Sequence, residues 1–258
     1  MPPTGRSAPA GSGRWQFVRL DLPRGTGFGR HAHEEHQLVV VDRGVVALVA
    51  DDATWAVPAG GGVWLPAGSH HEVQGLHDAA ATFAYVRPPG SWATPGPGSV
   101  AVPPLARDLV AVLSEPGARS GARRERLEAV LLDEVADLRP DRLPVLLPVD
   151  AAARAVALVL LADPTDDRTI EELGVEAGAS PRTLQRRFAA EAGLGFRTWR
   201  RRVRLRRAMA ALEDGSSVTR AGHDAGFAST SAFIAAFRDE VGTTPAAWAR
   251  ADRRLELS

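Results

Sequence analysis

Five residues recur in this sequence at a constant offset of 49 positions. Both copies follow the pattern S-x3-[LF]-x3-F-x4-G-x5-W, and a short amphipathic stretch containing Ala and Gly precedes each one. This spacing is typical of a helix-turn-helix unit, in which two helices meet at a short turn. Two such units in tandem predict a protein that contacts two successive turns of DNA. The recurring residues are Ser180, Leu184, Phe188, Gly193 and Trp199, then Ser229, Phe233, Phe237, Gly242 and Trp248.

The composition is that of a globular protein with room for two domains: 258 residues, 45% apolar and 24% charged. The sequence has no cysteine, which excludes disulfides and thiolate metal sites. Residues 1–14 lack the apolar core of a signal peptide and are expected to form a disordered arm. Because no apolar run approaches the ~20 residues of a membrane span, we expect a cytoplasmic protein.

The distribution of charge is more informative than the net charge of zero. Residues 1–164 contain 15 Arg and 18 Asp or Glu, whereas residues 178–250 contain 13 Arg and 6 Asp or Glu. Every Lys or Arg position in the chain is Arg, which a GC-rich genome would also produce, so Arg content alone indicates no nucleic acid. The C-terminal surplus of seven positive charges, however, predicts a surface that meets an anion.

The first part of the chain is predicted to be rich in β-strands. Short runs of Val, Leu and aromatic residues alternate with turn sequences such as Asp42-Arg43-Gly44, Asp51-Asp52 and Pro58-Ala59-Gly60, a pattern typical of a sandwich or barrel. Prolines concentrated in residues 88–104 predict a stiff boundary after it. The expected strands are Trp15–Leu20, Gln37–Val41, Val45–Ala50, Thr54–Val57, Val63–Leu65 and Thr82–Val86.

The rest of the chain has helical periodicity, with one apolar stripe starting at Leu105 and another at Leu127. Each stripe needs a partner, either the sheet or a second subunit, and the sequence favours neither. We therefore predict an α+β protein of two domains. The expected divisions are an arm over 1–14, a sensor barrel over 15–90, a linker with covering or dimerisation helices over 91–149, and an all-α tandem helix-turn-helix domain over 150–254 with units at about 169–193 and 217–242.

In the first unit, Thr169 and Glu172 predict a capping box for a helix ending near Ala177. Ser180 is placed to cap the second helix, with Pro181 at its first position. Burial of Leu184 and Phe188 would leave three residues outward, and Arg and Gln are side chains that bond guanine and adenine edges. The predicted base readers are Arg182, Gln185 and Arg186.

A long helix from Phe196 to about Glu213 joins the two units and is crowded with arginines. Exposed arginines suit phosphates, although a solvated face and one or two structural arginines remain alternatives. The outward face of the second unit is poor in donors, since it presents Thr230, Ser231 and Ala235 with Arg238. We expect that unit to position DNA more than to read it. The predicted phosphate contacts are Arg187, Arg200, Arg201 and Arg238.

The C-terminal motifs resemble the AraC/XylS family of transcription regulators. They are A-G-x-S-P-x-x-L-x-R-x-F at 177–188, G-x-x-F-x-x-W at 193–199, R-L-R-R-A at 204–208, D-A-G-F-x-S-x-S-x-F-x-x-x-F at 224–237 and G-x-x-P-x-x-W at 242–248. The resemblance implies a bipartite DNA-binding domain with Arg182, Gln185 and Arg186 as base readers. Thr230 and Ser231 are the matching positions in the second recognition helix. Ala235 stands where family members can carry a basic residue.

Two N-terminal motifs resemble those of the cupin barrel, also called the double-stranded β-helix. They are Gly25-x5-His31-x-His33-x3-Gln37-x6-Gly44 and Gly60-x5-Pro66-x-Gly68-x2-His71. The resemblance implies a ligand set of His31, His33, His71 and Gln37, where Gln37 replaces the usual Glu and Gly75 the usual Asn. Neutral imidazoles suit a divalent Zn, Ni, Fe or Cu ion, whereas an amide is a weaker ligand than a carboxylate.

Three interpretations of these histidines stay open: a metal site, direct contact with a small effector, or packing at the barrel mouth. His36 and His70 are expected to point away and be exposed, while Trp64 is the best candidate for lining a pocket.

The sequence as a whole predicts a DNA-binding transcription regulator controlled by a small molecule or metal, not an enzyme. Its expected partners are operator DNA, an unidentified effector, a second copy of the chain and, for an activator, RNA polymerase. One alternative is a metal-dependent cupin oxygenase or isomerase carrying a DNA-binding appendage. Another is a constitutive DNA-binding protein whose barrel serves dimerisation.

Overall fold

The computed structural model describes residues 14–51, 53–87, 96–115 and 121–255, with side chains described up to Arg250. Residues 1–13 of the predicted arm and residues 88–95 of the proline-rich boundary fall outside these ranges. The chain divides into two compact units. The first contains the chain up to Asp52 together with Val57–Asp141, and the second contains Ala53–Ala56 and the chain from Arg142 onward.

The first unit is built on one antiparallel sheet whose two longest strands lie side by side. β3 (His36–Ala50) pairs along β6 (His71–Val86), and both consist largely of buried Val, Leu and Ala. On its other side, β6 pairs first with β2 and then with β1. The remaining strands are β1 (Trp15–Leu22), β2 (Gly27–His31), β5 (Gly62–Leu65), β7 (Gly98–Ala101), β8 (Arg139–Pro140) and β4 (Ala53–Pro58), of which Val57 and Pro58 belong to the first unit.

The predicted turn at Asp42-Arg43-Gly44 is wrong, because β3 continues through it as an irregular strand. The pairing register with β6 shifts repeatedly between Val41 and Val46, as in a β-bulge. Gly44 has a φ of +71°, and a Cβ there would lie 2.5 Å from the carbonyl oxygen of His77. Glycine therefore allows the strand to bend without leaving its partner, so the predicted pair of strands is one element.

The expected closed barrel is not found among the described strands. Their order is β1-β6-β3-β5-β7-β8, with β2 beside β6 and β4 beside β3, and this path has two free ends. β1 and β2 share one side of β6, while the far edge is formed by the short β8, which pairs with β7 at only two positions. A sheet-rich domain followed by a helical domain is confirmed, but its sheet stays open.

Two helices of the first unit cover part of this sheet. α1 (Pro104–Ser114) buries Ala106, Leu109, Val110 and Leu113, and α2 (Ala122–Ala136) buries Leu131 and Val135. These side chains form one core with Leu38, Val40, Trp64 and Val86 of the sheet. Since a fully buried Leu or Val contributes ~1.5–3 kcal/mol, this face is a large part of the unit's stability.

The second unit is helical from Ala151 onward, and the helices that start at Ile170, Pro181 and Phe196 begin where the sequence predicted. Thr169 and Glu172 form the expected capping box, and Ser180, Ser217 and Ser229 each accept a hydrogen bond from the backbone of the helix they cap. None of the described helices is long and apolar enough to cross a membrane. The helices are α3 (Ala151–Ala162), α4 (Ile170–Ala177), α5 (Pro181–Glu191), α6 (Phe196–Glu213), α7 (Val218–Asp224), α8 (Thr230–Val241) and α9 (Pro245–Leu255).

Candidate functional site

The outward face of α5 carries the three predicted base readers. Leu184 and Phe188 are fully buried, and this turns Arg182, Gln185 and Arg186 to solvent. No hydrogen bond or ion pair with another described residue engages these three side chains. The helix therefore presents two guanidinium groups and an amide that are free to bond a partner.

The inward end of α5 is held by an ion-pair network that sequence analysis did not assign. Arg187 pairs with Asp150 at 3.2 Å and with Glu191 at 3.1 Å. Glu191 also accepts hydrogen bonds from the backbone nitrogens of Val149 and Asp150, at 2.8 and 2.7 Å. Arg187, a predicted phosphate contact, thus already binds within the domain. The four-residue spacing of Arg187 and Glu191 was the available sequence signal.

Two further predicted phosphate contacts, Arg200 and Arg201 of α6, also bind inside the second unit. Arg200 donates to the carbonyl oxygens of Arg168 and Asp166. Burial, and then the neighbouring charge of Arg204, lower the pKa of Arg200. Arg201 pairs with Glu240 of α8 at 2.6 Å and keeps a side chain that is 36% exposed. These contacts join α6 to its neighbours, which is the structural alternative that the sequence left open.

The matching face of the second helix-turn-helix has few hydrogen-bond donors. Ser231, Ala235 and Arg238 of α8 are exposed, and Thr230 is half-buried. No described residue binds the guanidinium of Arg238, so this predicted phosphate contact is free. Phe233 and Phe237 are fully buried, as the repeat predicted.

The three predicted N-terminal histidines lie together. The ring centroids of His31 and His71 are 4.3 Å apart, those of His33 and His71 are 5.1 Å apart, and those of His31 and His33 are 6.1 Å apart. His31 ends β2, whereas His33 follows in a loop. We call His31, His33 and His71 the histidine cluster.

Each ring of the histidine cluster is held through its Nδ1 atom by a backbone carbonyl two residues away. Nδ1 lies 2.8 Å from the oxygen of Gly29 for His31, 2.8 Å from that of Glu35 for His33, and 2.9 Å from that of Ser69 for His71. Because a carbonyl oxygen can only accept, each Nδ1 carries a hydrogen. In the neutral ring, Nε2 is then an unprotonated acceptor.

Three acceptors of this region are buried without a hydrogen-bond partner among the described residues: Nε2 of His33, Nε2 of His71 and Oε1 of Gln37. Burial, which is the largest effect, and the charges of His31, His33 and His70 lower the pKa of His71 to about 4, so this ring is neutral near pH 7. A buried unsatisfied acceptor costs ~1–3 kcal/mol, so such a group suggests a ligand.

The donor chemistry of the histidine cluster suits a transition metal, since metal-binding imidazoles commonly donate Nδ1–H to a carbonyl. As the side chains lie, however, no group of three or more His, Asp or Glu in the described part of the chain is arranged to hold a metal ion. The chemistry fits a metal and the present ring positions do not.

One other N-terminal prediction needs correction, and the structure places Trp64 in the core. His36 does not point away into solvent, because it is half-buried, stacks on Trp64 at 5.5 Å and accepts a hydrogen bond from the nitrogen of Ala67. Trp64 is 1% exposed and belongs to the core beneath α1 and α2. His70 is exposed as expected.

Two tandem helix-turn-helix units with an exposed, unpaired basic face on α5, preceded by a sheet domain with an unsatisfied polar cluster, are the architecture of a ligand-binding transcription regulator. Residues 17–131 match the AraC-like ligand binding domain, and residues 173–251 match a helix-turn-helix domain. The chain belongs to the AraC family of transcription regulators.

Similar proteins are transcription regulators by name. The HTH-type transcriptional regulator NimR of Escherichia coli is 28% identical over 217 residues, which cover 83% of this chain and 80% of NimR. The HTH-type transcriptional regulator RipA of Corynebacterium glutamicum is 40% identical over 45% of this chain and 35% of its own length. The DNA-binding domain of AdpA, solved in complex with a target DNA, is 32% identical with a TM-score of 0.38, covering 41% of this chain and 95% of that chain.

Proposed function

We propose that α5 reads base edges in the major groove and that α8 mainly anchors the second helix-turn-helix on the DNA. The observation that carries this proposal is the exposed, unpaired face of Arg182, Gln185 and Arg186 on α5. Each side chain can make two parallel hydrogen bonds to one base, Arg to guanine and Gln to adenine. Thr230 and Ser231 of α8 offer single hydroxyl groups, and Ala235 offers none.

Phosphate contacts come from arginines that are not already paired inside the domain. Arg238 meets this condition at the end of α8 that precedes Gly242. Arg187 pairs with Asp150 and Glu191, and Arg200 donates hydrogen bonds to backbone carbonyls. The larger contribution of these two arginines is therefore to hold α5 and α6 in place. Arg201 combines its pair to Glu240 with enough exposure to reach a phosphate as well.

The first unit responds to a ligand bound at the histidine cluster and Gln37. Every unsatisfied group there is an acceptor, so the ligand must supply an electron-pair acceptor or N–H and O–H donors rather than negative charge. A divalent Zn, Ni, Fe or Cu ion meets this requirement once the rings rotate to converge. A small molecule with N–H groups meets it without that rotation.

The chain works as a cytoplasmic regulator rather than an enzyme, because its two parts match a ligand-binding domain and a DNA-binding domain. Its effect on transcription is exerted through RNA polymerase when it activates. A homodimer is supported by apolar residues left exposed on the covering helices, namely Leu105 and Val112 of α1 and Val130 of α2.

The test is selection of DNA by the full-length protein from a library of randomised duplexes. A regulator of this kind should enrich a motif with two conserved boxes about one helical turn apart, the box under α5 being the more sharply defined. The Arg182→Ala variant should enrich a motif that is relaxed in that box alone. Failure of the wild-type protein to enrich any motif would reject the proposal.

A further inference from the structure

The loop of residues 163–168, which joins α3 to α4, is held by two arginines of α6. Arg200 donates to the carbonyl oxygens of Arg168 and Asp166. Arg204 donates from Nε to the carbonyl oxygen of Pro164 at 2.8 Å and from Nη2 to that of Asp166 at 3.0 Å. The two arginines are four residues apart and so lie on one face of α6. The entrance to the first helix-turn-helix is thereby attached to α6, the helix that links the two helix-turn-helix units.

The loop is also braced from within. Asp163 accepts hydrogen bonds from the nitrogen and the hydroxyl of Thr165, at 2.9 and 2.6 Å, and Asp166 accepts one from the nitrogen of Arg168 at 3.0 Å. These bonds direct the backbone carbonyls toward α6 in one arrangement. The contact is therefore between two pre-ordered surfaces.

The turn of the second helix-turn-helix packs against the same loop. Gly226 has a φ of +85°, and a Cβ there would lie 2.8 Å from Cα of Thr165, 2.9 Å from the carbonyl oxygen of Pro164 and 3.1 Å from Nε of Arg204. Both the backbone angle and the lack of space require glycine at this position. Arg204 thus lies where α6, the entrance to the first helix-turn-helix and the turn of the second helix-turn-helix meet.

We propose that Arg204 and Gly226 are positioning residues that set the distance and angle between α5 and α8. The loop leads directly into α4, and a short turn connects α4 to α5. Gly226 lies three residues before Ser229, the cap of α8. Their contact consequently sets the number of base pairs between the two sequences that the protein contacts. This inference rests on the proposed function, in which both helix-turn-helix units bind one duplex.

The test measures how affinity depends on the spacing of the two boxes. The duplex is the one that the full-length wild-type protein selects from a randomised library, remade with one or two base pairs inserted or deleted between the boxes. Each added base pair rotates one box by about 34° relative to the other, so wild-type affinity should fall steeply on either side of the selected spacing. Gly226→Ala and Arg204→Ala should bind the selected duplex about tenfold more weakly and show a flatter or displaced spacing profile.

Arg207→Ala is the matched control, since Arg207 is an exposed arginine of α6 and no described residue binds its side chain. This variant should lower affinity at every spacing by the same factor and leave the profile unchanged. Thermal unfolding identifies variants that do not fold, and Arg204→Ala, which removes two hydrogen bonds without adding an atom, carries the test if Gly226→Ala is among them. A folded Arg204→Ala or Gly226→Ala protein with the wild-type profile would overturn the inference. If the wild-type protein selects no duplex, the proposed function fails first.

Discussion

The imidazole rings of His31 and His71 lie 4.3 Å apart, and both rings donate Nδ1–H to a carbonyl within their own chain segment. These bonds leave the two Nε2 atoms as acceptors, and the one on His71 is buried without a partner among the described residues. Two imidazoles held in this way form no hydrogen bond with each other. We propose that they are half of a binding site, with His33 and Gln37 as the other half.

If the ligand is a metal, the full-length protein purified without a histidine tag should bind one Zn, Ni, Fe or Cu ion per chain. The double variant His31→Ala/His33→Ala should lose it, because two of the three imidazoles are gone. Metal content measured by mass spectrometry checks this, and His70→Ala, an exposed neighbour, is the control that should keep the ion. Equal, sub-stoichiometric metal in all three proteins would leave a donor-bearing small molecule as the ligand.

The first unit should lose stability in mild acid. The pKa of His71 lies near 4 in the folded protein against an ordinary value of 6.5, so the unfolded chain takes up this proton first as pH falls. The contribution of His71 to the free energy of unfolding is complete above pH 6.5 and decreases down to about pH 4. The loss can reach about 3 kcal/mol.

Urea unfolding of the metal-free protein at pH 7 and pH 5 measures this effect. His71→Gln removes the titrating group and should show a smaller difference between the two pH values than the wild-type protein. An unchanged difference would mean that other groups control the acid response.

Arg182→Ala should weaken binding to the selected duplex by ~1–3 kcal/mol and relax the preference at one base pair. The reason is that a bidentate bond to one base is lost while the rest of the interface remains. Competition with duplexes substituted at single positions measures it, and Gln185→Ala should relax a different position. If Arg182→Ala binds every substituted duplex with the wild-type order of preference, Arg182 does not read bases.

Arg238→Ala should weaken binding to all duplexes by a similar factor, since a phosphate carries no sequence information. The plot of log affinity against log salt should become shallower by about one unit. Titration of affinity against salt concentration checks the change. A shift in base preference would instead assign Arg238 to base reading.

Glu240→Ala should lower the free energy of unfolding of the second unit by ~1–3 kcal/mol, because charged hydrogen bonds to Arg201 and Arg202 are lost together. Asp239→Ala is the control: its pair with Arg201 is exposed, and such pairs contribute ~0–1 kcal/mol. Chemical denaturation compares the two. Equal effects would show that the burial of Glu240 adds nothing.

The helix boundaries of the second unit were predictable from the sequence because they depend on local signals. Thr169, Ser180 and Ser229 each precede a helix and have a side chain that can accept its free backbone N–H groups, and this is how the structure uses them. The outward position of Arg182, Gln185 and Arg186 follows in the same way from the burial of Leu184 and Phe188. Helical periodicity and capping require no knowledge of distant residues.

The partners of the arginines were not predictable, because α6 carries several that are alike in the sequence. Arg204 and Arg207 differ only in which side of the helix meets the loop of residues 163–168. The open sheet was not predictable either, since strand pairing depends on residues that are far apart in the chain. The glycine at position 44 is compatible with a β-bulge as well as with a turn, so the local sequence could not distinguish the two. The sequence by itself determined the repeat, the helix caps and the outward face of α5, which are local properties. Tertiary structure alone decided which arginines are free, which acceptors of the histidine cluster are unsatisfied, and that Gly226 packs against the loop of residues 163–168, since each depends on long-range contact.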